Sequence, residues 1–247
     1  MMKSSGVMNK SLIRLHVFLS RNGVGSRRKC ELYIRDNMVK VNGIIVNTPG
    51  AKISENDKVF FREELIKPIK KTIYLALNKP VGYLCSISDT SGKPLVTELF
   101  KDKIKERIYH VGRLDYLSSG LIFFTNDGEF ANIIMHPSFN IEKEYLIETL
   151  TNIEENNLRK YIDGIQIEGV FYRIKKYNLK KNNEVQLVLV EGKNREIRKV
   201  FSFFGIKIKR IHRIRIGNIF LGKLKPGQFR YLNNNELSWF FTKTNDK

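Results

Sequence analysis

Cysteine, histidine and acidic residues are all scarce in this chain of 247 residues. Its two cysteines, Cys30 and Cys85, lie far apart and have no CxxC or histidine partner. This argues against a zinc motif or a disulfide framework and leaves two small buried or half-buried side chains in a reducing compartment. There are only four histidines. No HExxH, Walker loop or GxGxxG occurs, so metal hydrolysis and nucleotide-driven chemistry lack support. Ser118 and Ser119 have no GxSxG elbow around them. No stretch approaches the ~20 apolar residues of a membrane span. The first twenty residues lack the continuous apolar core and small-residue cleavage site of a leader, and their pattern continues as an amphipathic helix. The expectation is a cytosolic protein with no membrane partner.

Base is what the chain has in excess. Lys and Arg number 44 against 25 Asp and Glu, a net charge of +19, while 42% of residues are hydrophobic, enough for a real core. That balance favours a polyanionic partner, nucleic acid first. The charge is clustered. Between Lys193 and Lys225 the only acid is Glu196. In "IKIKRIHRIRIG" the alternation of apolar and basic positions shifts at Arg210–Ile211, which predicts a bulge in a strand with one apolar and one basic face.

The length suits one large domain, or one large and one small. Residues 10–62 read as a compact small unit. Leu12, Leu15 and Leu19 share a helical face over 12–22, Gly23 caps it, and Ser26 opens a second short helix. Asn42-Gly43 then predicts a hairpin between Val39–Val41 and Ile44–Val46, and "ENDKVFF" predicts a turn and strand. The two helices carry Arg14, Arg21, Arg27, Arg28, Lys29 and Arg35, and His16 reads as packing or surface. Residues 63–71, charged and containing Pro68, read as a linker.

Residues 72–241 mix strands and helices without βαβ alternation, which predicts an α+β domain around one large, mainly antiparallel sheet. Strands are expected at "TIYLALNKP", the largely apolar "GLIFFTND", "EKEYLIETL", "NEVQLVLVEG", "IKIKRIHRIRIG" and "FRYL". Helices are expected at "GEFANIIM", which stops before Pro137, at "NIEENNLRKYIDG" with Asn152 as N-cap, and at "NREIRKVFSFFG". His136 can cap a helix end or touch RNA.

One carboxylate, in "VGRLDYLSSG", invites a chemical reading. Asp115 could be a turn residue bonding nearby backbone N–H groups, a salt-bridge partner, or a nucleophile. From these residues alone the three stand open.

The motifs around it carry a family resemblance. "RLHVFLSRNGVGSRRKCELYIRDNMVKVNG" is similar to the small S4-type RNA-binding domain. "LNKPVGYL", "HVGRLDYLSSGLIFFTNDGEFANIIMHPSF", "EKEYLI", "EGKNREIRKVFSFFG" and "RIRIG" follow one another as in the RsuA/RluB branch of the pseudouridine synthases. The two stretches cover nearly the whole chain. The resemblance implies an isomerase that converts a specific uridine of ribosomal RNA to pseudouridine, with no cofactor or metal, no obligatory protein partner and a monomeric state.

By resemblance, Asp115 is the catalytic aspartate, attacking either the ribose anomeric carbon or the pyrimidine ring. Tyr145 stacks the flipped base, and Arg198 pairs with the aspartate, through two nitrogens, to keep it ionised and oriented. Arg113 positions RNA or the base, and Lys79-Pro80 supports the site. Asn194, Arg195, Arg210, Arg213 and Arg215 extend the expected RNA contacts, Lys79 among them. "EKEYLI" and "MHPSF" lean towards the large-subunit (23S) enzymes. Glu196 replaces the usual Gln and adds negative charge near the site. Ser118 replaces Thr, and Tyr116-Leu117 replaces a more polar pair. The alternative is an RNA-binding assembly factor without the reaction, for which Asp115, Tyr145 and Arg198 together would serve no purpose.

Overall fold

The computed structural model describes residues 12–54, 56–68, 71–86 and 92–245. The chain divides into two compact units, Met1–Thr72 and Ile73–Lys247.

The small unit runs β1 (Ile13–Arg14), α1 (Leu15–Arg21), α2 (Arg27–Arg35), β2 (Val39–Val41), β3 (Ile44–Ile45), β4 (Lys52–Ile53), β5 (Val59–Phe61) and β6 (Glu64–Leu65). The Ser26 side chain accepts the Lys29 backbone N–H at 3.2 Å and so opens α2. Leu15, Leu19, Cys30, Ile34, Val39, Ile53 and Val59 form the core. The antiparallel order β3-β2-β5-β6 makes one sheet, and β1 pairs with β4. Two expectations are corrected here. The first helix starts only at Leu15, because Ile13 and Arg14 pair with Ile53 and Lys52, and Leu12 is exposed. The predicted linker is in part structured, since Glu64 and Leu65 pair with Phe61 and Phe60. The predicted boundary residues 10–11 and 69–70 lie outside the described residues.

The large unit continues with β7 (Tyr74–Lys79), β8 (Tyr109–Val111), β9 (Ser119–Thr125), α3 (Gly128–Met135), β10 (Lys143–Thr149), α4 (Glu155–Asp163), β11 (Ile165–Ile167), β12 (Val170–Tyr172), β13 (Lys176–Lys181), β14 (Glu184–Leu189), α5 (Glu196–Phe203), β15 (Ile208–Ile216), β16 (Ile219–Phe220), β17 (Phe229–Tyr231) and α6 (Asn234–Asn245). The main sheet has the order β13-β14-β10-β15-β9-β7-β17, with β16 on β15 and β8 on β9. Its pairings are antiparallel except one, β9 with β15, where Ser119 faces His212 and Gly120 faces Arg213. Two antiparallel halves therefore meet at a short parallel seam.

Both faces of the sheet are covered. Along β9, Ile122 and Phe124 face the core that includes Leu158 of α4 and Val200 and Phe201 of α5. Leu121 and Phe123 face the other core, with Phe130 and Ile134 of α3 and Phe240 of α6. Burial on both faces explains why the strand reads as an unbroken apolar run. His136 does cap: its Nδ1 accepts the Ser138 backbone N–H at 3.3 Å, at the start of the 137–139 turn.

Three further expectations change. Helix α4 begins at Glu155, after Glu154 and without a side-chain cap, so Asn152 is not its N-cap. Helix α6 follows "FRYL", where no element was expected. The pairing of β15 with β10 skips Lys209 and Ile214, so there are two bulges rather than one at Arg210–Ile211.

Candidate active site

The seam places the site. β9 enters it from the turn Asp115–Ser118, where the Ser118 N–H bonds the Asp115 carbonyl at 3.0 Å. Gly120, at φ +108°, follows at once, and a Cβ there would strike the main chain of Arg213. Only glycine lets the two strands approach this closely. Tyr145 stands opposite Arg213 on β10. α5 brings Arg198.

The turn is held by its backbone. Lys79 is fully buried, and its Nζ donates to the carbonyls of Pro80 (3.0 Å), Asp115 (3.2 Å) and Ser118 (2.8 Å). The Gly82 N–H donates to the Tyr116 carbonyl at 2.9 Å. Arg198 Nη2 donates to the Leu117 carbonyl at 2.9 Å and to Ser118 Oγ at 3.3 Å. All four carbonyls from Asp115 to Ser118 thus have a partner. Burial lowers the Lys79 pKa to about 8, with Asp115 pulling the other way.

The Asp115 carboxylate is left partly open above this turn. Arg198 meets it with Nε 3.5 Å from Oδ2, while Nη2 of the same guanidinium bonds the turn. Burial lowers the Arg198 pKa from its usual value.

A pocket of about 90 Å³ opens over these groups, a volume that admits one extruded ring and no duplex. Leu114, Tyr145, Leu189, Ile197 and Ile211 form its apolar wall and also belong to the α4–α5 core. Asp115, Ser118, Arg113, Lys193, Arg195 and Arg198 supply its polar rim. A second groove shares Arg195 and Arg198 and runs on past Ser202, Gly205 and Lys207. Arg195, which precedes α5, holds the left-handed conformation (φ 51°), uncommon for a residue with a side chain.

Asp115, Tyr145, Arg198, Arg113 and Arg195 are therefore brought together as the sequence reading expects. Asn194 is exposed and outside the pocket wall. Lys79 is too deeply buried to touch RNA and instead supports the turn. Arg213 was read as a basic-face residue and is 4% exposed. Its Nε donates to the Leu121 carbonyl at 2.6 Å, Nη1 reaches Tyr145 Oη at 3.4 Å, and its guanidinium lies 5.8 Å from the Tyr145 ring. The second bulge of β15 explains the misreading. Arg215 is likewise taken up, by Glu144 at 2.7 Å and Glu142 at 3.0 Å, and Arg210 pairs with Glu148. In the small unit Arg14, Arg21, Arg27, Arg28 and Lys29 are all exposed.

Sequence reasoning missed Lys193, Leu189, Ile197 and Ile211 as pocket residues, and nothing in their local pattern marks them. Glu196 is buried, accepting from Tyr161 Oη at 3.2 Å and from the Lys193 N–H at 3.1 Å. Burial pushes its pKa up, which works against the added negative charge expected of it. Among the described residues, no three His, Cys, Asp or Glu stand together as a metal site, and no helix is long and apolar enough to cross a membrane.

The mixed sheet thus holds Asp115 beside Arg198 and Tyr145 at one pocket. Comparison with known proteins gives the family. Residues 73–203 match the RNA pseudouridylate synthase family, and residues 13–59 match the S4 domain. An RNA pseudouridine synthase from Borreliella burgdorferi is 48% identical, over 88% of this chain and 88% of its own. The ribosomal large subunit pseudouridine synthase B of Bacillus subtilis is 35% identical, over 91% and 93%. The ribosomal small subunit pseudouridine synthase A of Haemophilus influenzae is 31% identical, over 91% and 98%. A crystal structure of a pseudouridylate synthase superposes with a TM-score of 0.68 at 31% identity, covering 92% of this chain and 99% of that one. The chain belongs to the RNA pseudouridine synthases, the isomerases of uridine in RNA, and to their S4-bearing RsuA/RluB type.

Proposed function

We propose that this enzyme isomerises one uridine of large-subunit ribosomal RNA, with Asp115 as the nucleophile. The observation that carries the reading is the convergence of Asp115, its Arg198 partner and Tyr145 on one pocket the size of a single ring. The uridine leaves its stack and enters the pocket. Asp115 attacks it at the ribose anomeric carbon or at the ring. The bond between N1 and the anomeric carbon breaks and the base turns against the Tyr145 ring. A bond from carbon 5 to the anomeric carbon then forms, Asp115 departs, the proton on carbon 5 is lost to solvent and N1 takes up one in return. Nothing is oxidised or reduced, so one nucleophilic carboxylate suffices. Arg198 holds the carboxylate ionised and aimed.

Arg113, Arg195 and Asn194 receive the flanking RNA, and Arg14, Arg21, Arg27, Arg28 and Lys29 bind phosphates on the small unit. The choice of the large subunit follows the stronger likeness to the B. subtilis enzyme. The enzyme works as a monomer in the cytoplasm, and its two domains span 10–62 and 72–241.

The test is tritium release from rRNA labelled at uridine carbon 5, with separate 16S and 23S transcripts. Wild type releases tritium from 23S alone, and Asp115→Asn lowers the rate by at least about a thousandfold. Release from 16S alone reverses the subunit. Full activity in Asp115→Asn removes the nucleophile. Tight, salt-sensitive binding without release from either RNA favours the assembly-factor reading.

A further inference from the structure

Arg213 is the residue at which the seam meets the strand of Tyr145. It faces Gly120 of β9 on one side and Tyr145 of β10 on the other. Its side chain repeats that connection, with Nε on the Leu121 carbonyl and Nη1 on the Tyr145 hydroxyl. One guanidinium thus links the strand that follows Asp115 to the aromatic side of the pocket.

The setting costs stability. Arg213 is buried, and its bonds go to a carbonyl and a hydroxyl, not to a carboxylate. Its buried Nη2 has no partner among the described residues. A buried cation without an anion, and with a donor unbonded, works against the fold. Burial and, after it, the Arg213 charge lower the pKa of Lys143 to about 8, so the charge is felt by its neighbours. Packing alone gives no reason for such a group.

The direction of the Tyr145 bond supplies a reason. A guanidinium only donates, whereas a phenol both donates and accepts. With Arg213 donating to Oη, the hydroxyl hydrogen of Tyr145 must turn elsewhere. Among the described residues that hydroxyl has no other partner, and Tyr145 lines the pocket. The hydrogen is therefore offered to whatever the pocket holds. Whether Asp115 attacks the ribose or the ring, negative charge gathers on the uracil before the new bond forms. A chain of donors that begins on a buried cation is strongest against such charge.

We propose that Arg213 is a positioning residue for the reaction, turning the Tyr145 hydroxyl hydrogen into the pocket, where it bonds the uracil while the base carries negative charge. Arg213 acts through Tyr145 and does not touch the substrate, and no proton or electron pair passes through it. This rests on the reading above, that the pocket holds a uridine during its isomerisation.

A double-mutant cycle tests it. Single-turnover rates of tritium release at saturating enzyme, and affinities for the RNA, are measured for wild type, Tyr145→Phe, Arg213→Gln and the double variant, on labelled 23S and 16S transcripts. Each single variant is expected to lose about tenfold or more in rate, with affinity unchanged within about threefold. The double variant is expected to be no more than about threefold slower than Tyr145→Phe, because without the hydroxyl Arg213 has nothing to turn. Losses that multiply would mean that Arg213 acts through Leu121 or the fold, and would overturn the proposal. So would a full rate in either single variant. If circular dichroism shows Arg213→Gln unfolded, Arg213→Met keeps the apolar stem without the charge and is read in the same way. Wild type releasing no tritium from either transcript would overturn the isomerase reading and this one with it.

Discussion

Arg198 reaches Asp115 through Nε and the Leu117 carbonyl through Nη2. A lysine in its place keeps the charge but cannot make both contacts. Arg198→Lys is therefore expected to lower kcat about 10- to 100-fold, the worth of one hydrogen bond to a charged group, with circular dichroism unchanged. Lys79 gives a prediction in pH. Its folded pKa, about 8, lies below the 10.5 of an ordinary lysine. Between those values the unfolded chain binds more protons than the fold, so this group's contribution to stability rises with pH. In urea titrations the stability of wild type minus that of Lys79→Met should grow by up to about 3 kcal/mol from pH 7 to 11. A flat difference would place the Lys79 amine in a wetter setting than the fold gives it. At this scale much was legible. The order of motifs led to Asp115, Tyr145 and Arg198, and all three line one pocket. The sharing of Arg198 between carboxylate and turn was not legible, because it depends on where α5 lies, not on any spacing.

Elements were legible where the sequence repeats a rule over enough residues. The largely apolar β9 is buried on both faces, and "GEFANIIM" is α3 to the residue. Two-residue strands such as β1 and β6 carry no period to read. Helix α6 begins at Asn234 behind reciprocal bonds between Asn233 and Glu236, a capping signal that the sequence carries and the reading passed over. Arg213 and Arg215 were misread for another reason: a second bulge, at Ile214, breaks the alternation that would have counted them together on an outer face. The strands also give a test of the seam. Gly120→Ala adds a Cβ against the Arg213 main chain, at a φ that alanine resists. Thermal or urea unfolding should show a loss of about 3 kcal/mol or more. A loss under 1 kcal/mol would mean that β9 and β15 can part without cost.

Across the whole molecule, the charge of +19 overstates what is free to meet RNA. Arg215, Arg210 and Arg230 are engaged by glutamates, and Lys79 and Arg213 are buried. The exposed Arg21, Arg27, Arg28 and Lys29 of the small unit are better placed to bind phosphates. Replacing these four by alanine should flatten the plot of log Kd against log salt by about 3, at 0.7–0.9 for each phosphate no longer neutralised, and leave kcat unchanged. An unaltered slope would exclude this surface from RNA binding. The seam, finally, bears on how the molecule comes into being. Ser119 and His212 meet there at 2.8 Å, across 93 residues of chain. The pairing of β7 with β17 joins Leu77 to Phe229 and spans still more chain, so it and the junction both wait for the closure of a long loop, which makes distant pairings slow to form. Asp115 hangs from one side of that junction and Tyr145 and Arg198 from the other. In refolding from urea, tritium-release activity should therefore return after the bulk of the far-ultraviolet dichroism, since a chain that has its helices and hairpins is not an enzyme until distant strands have met.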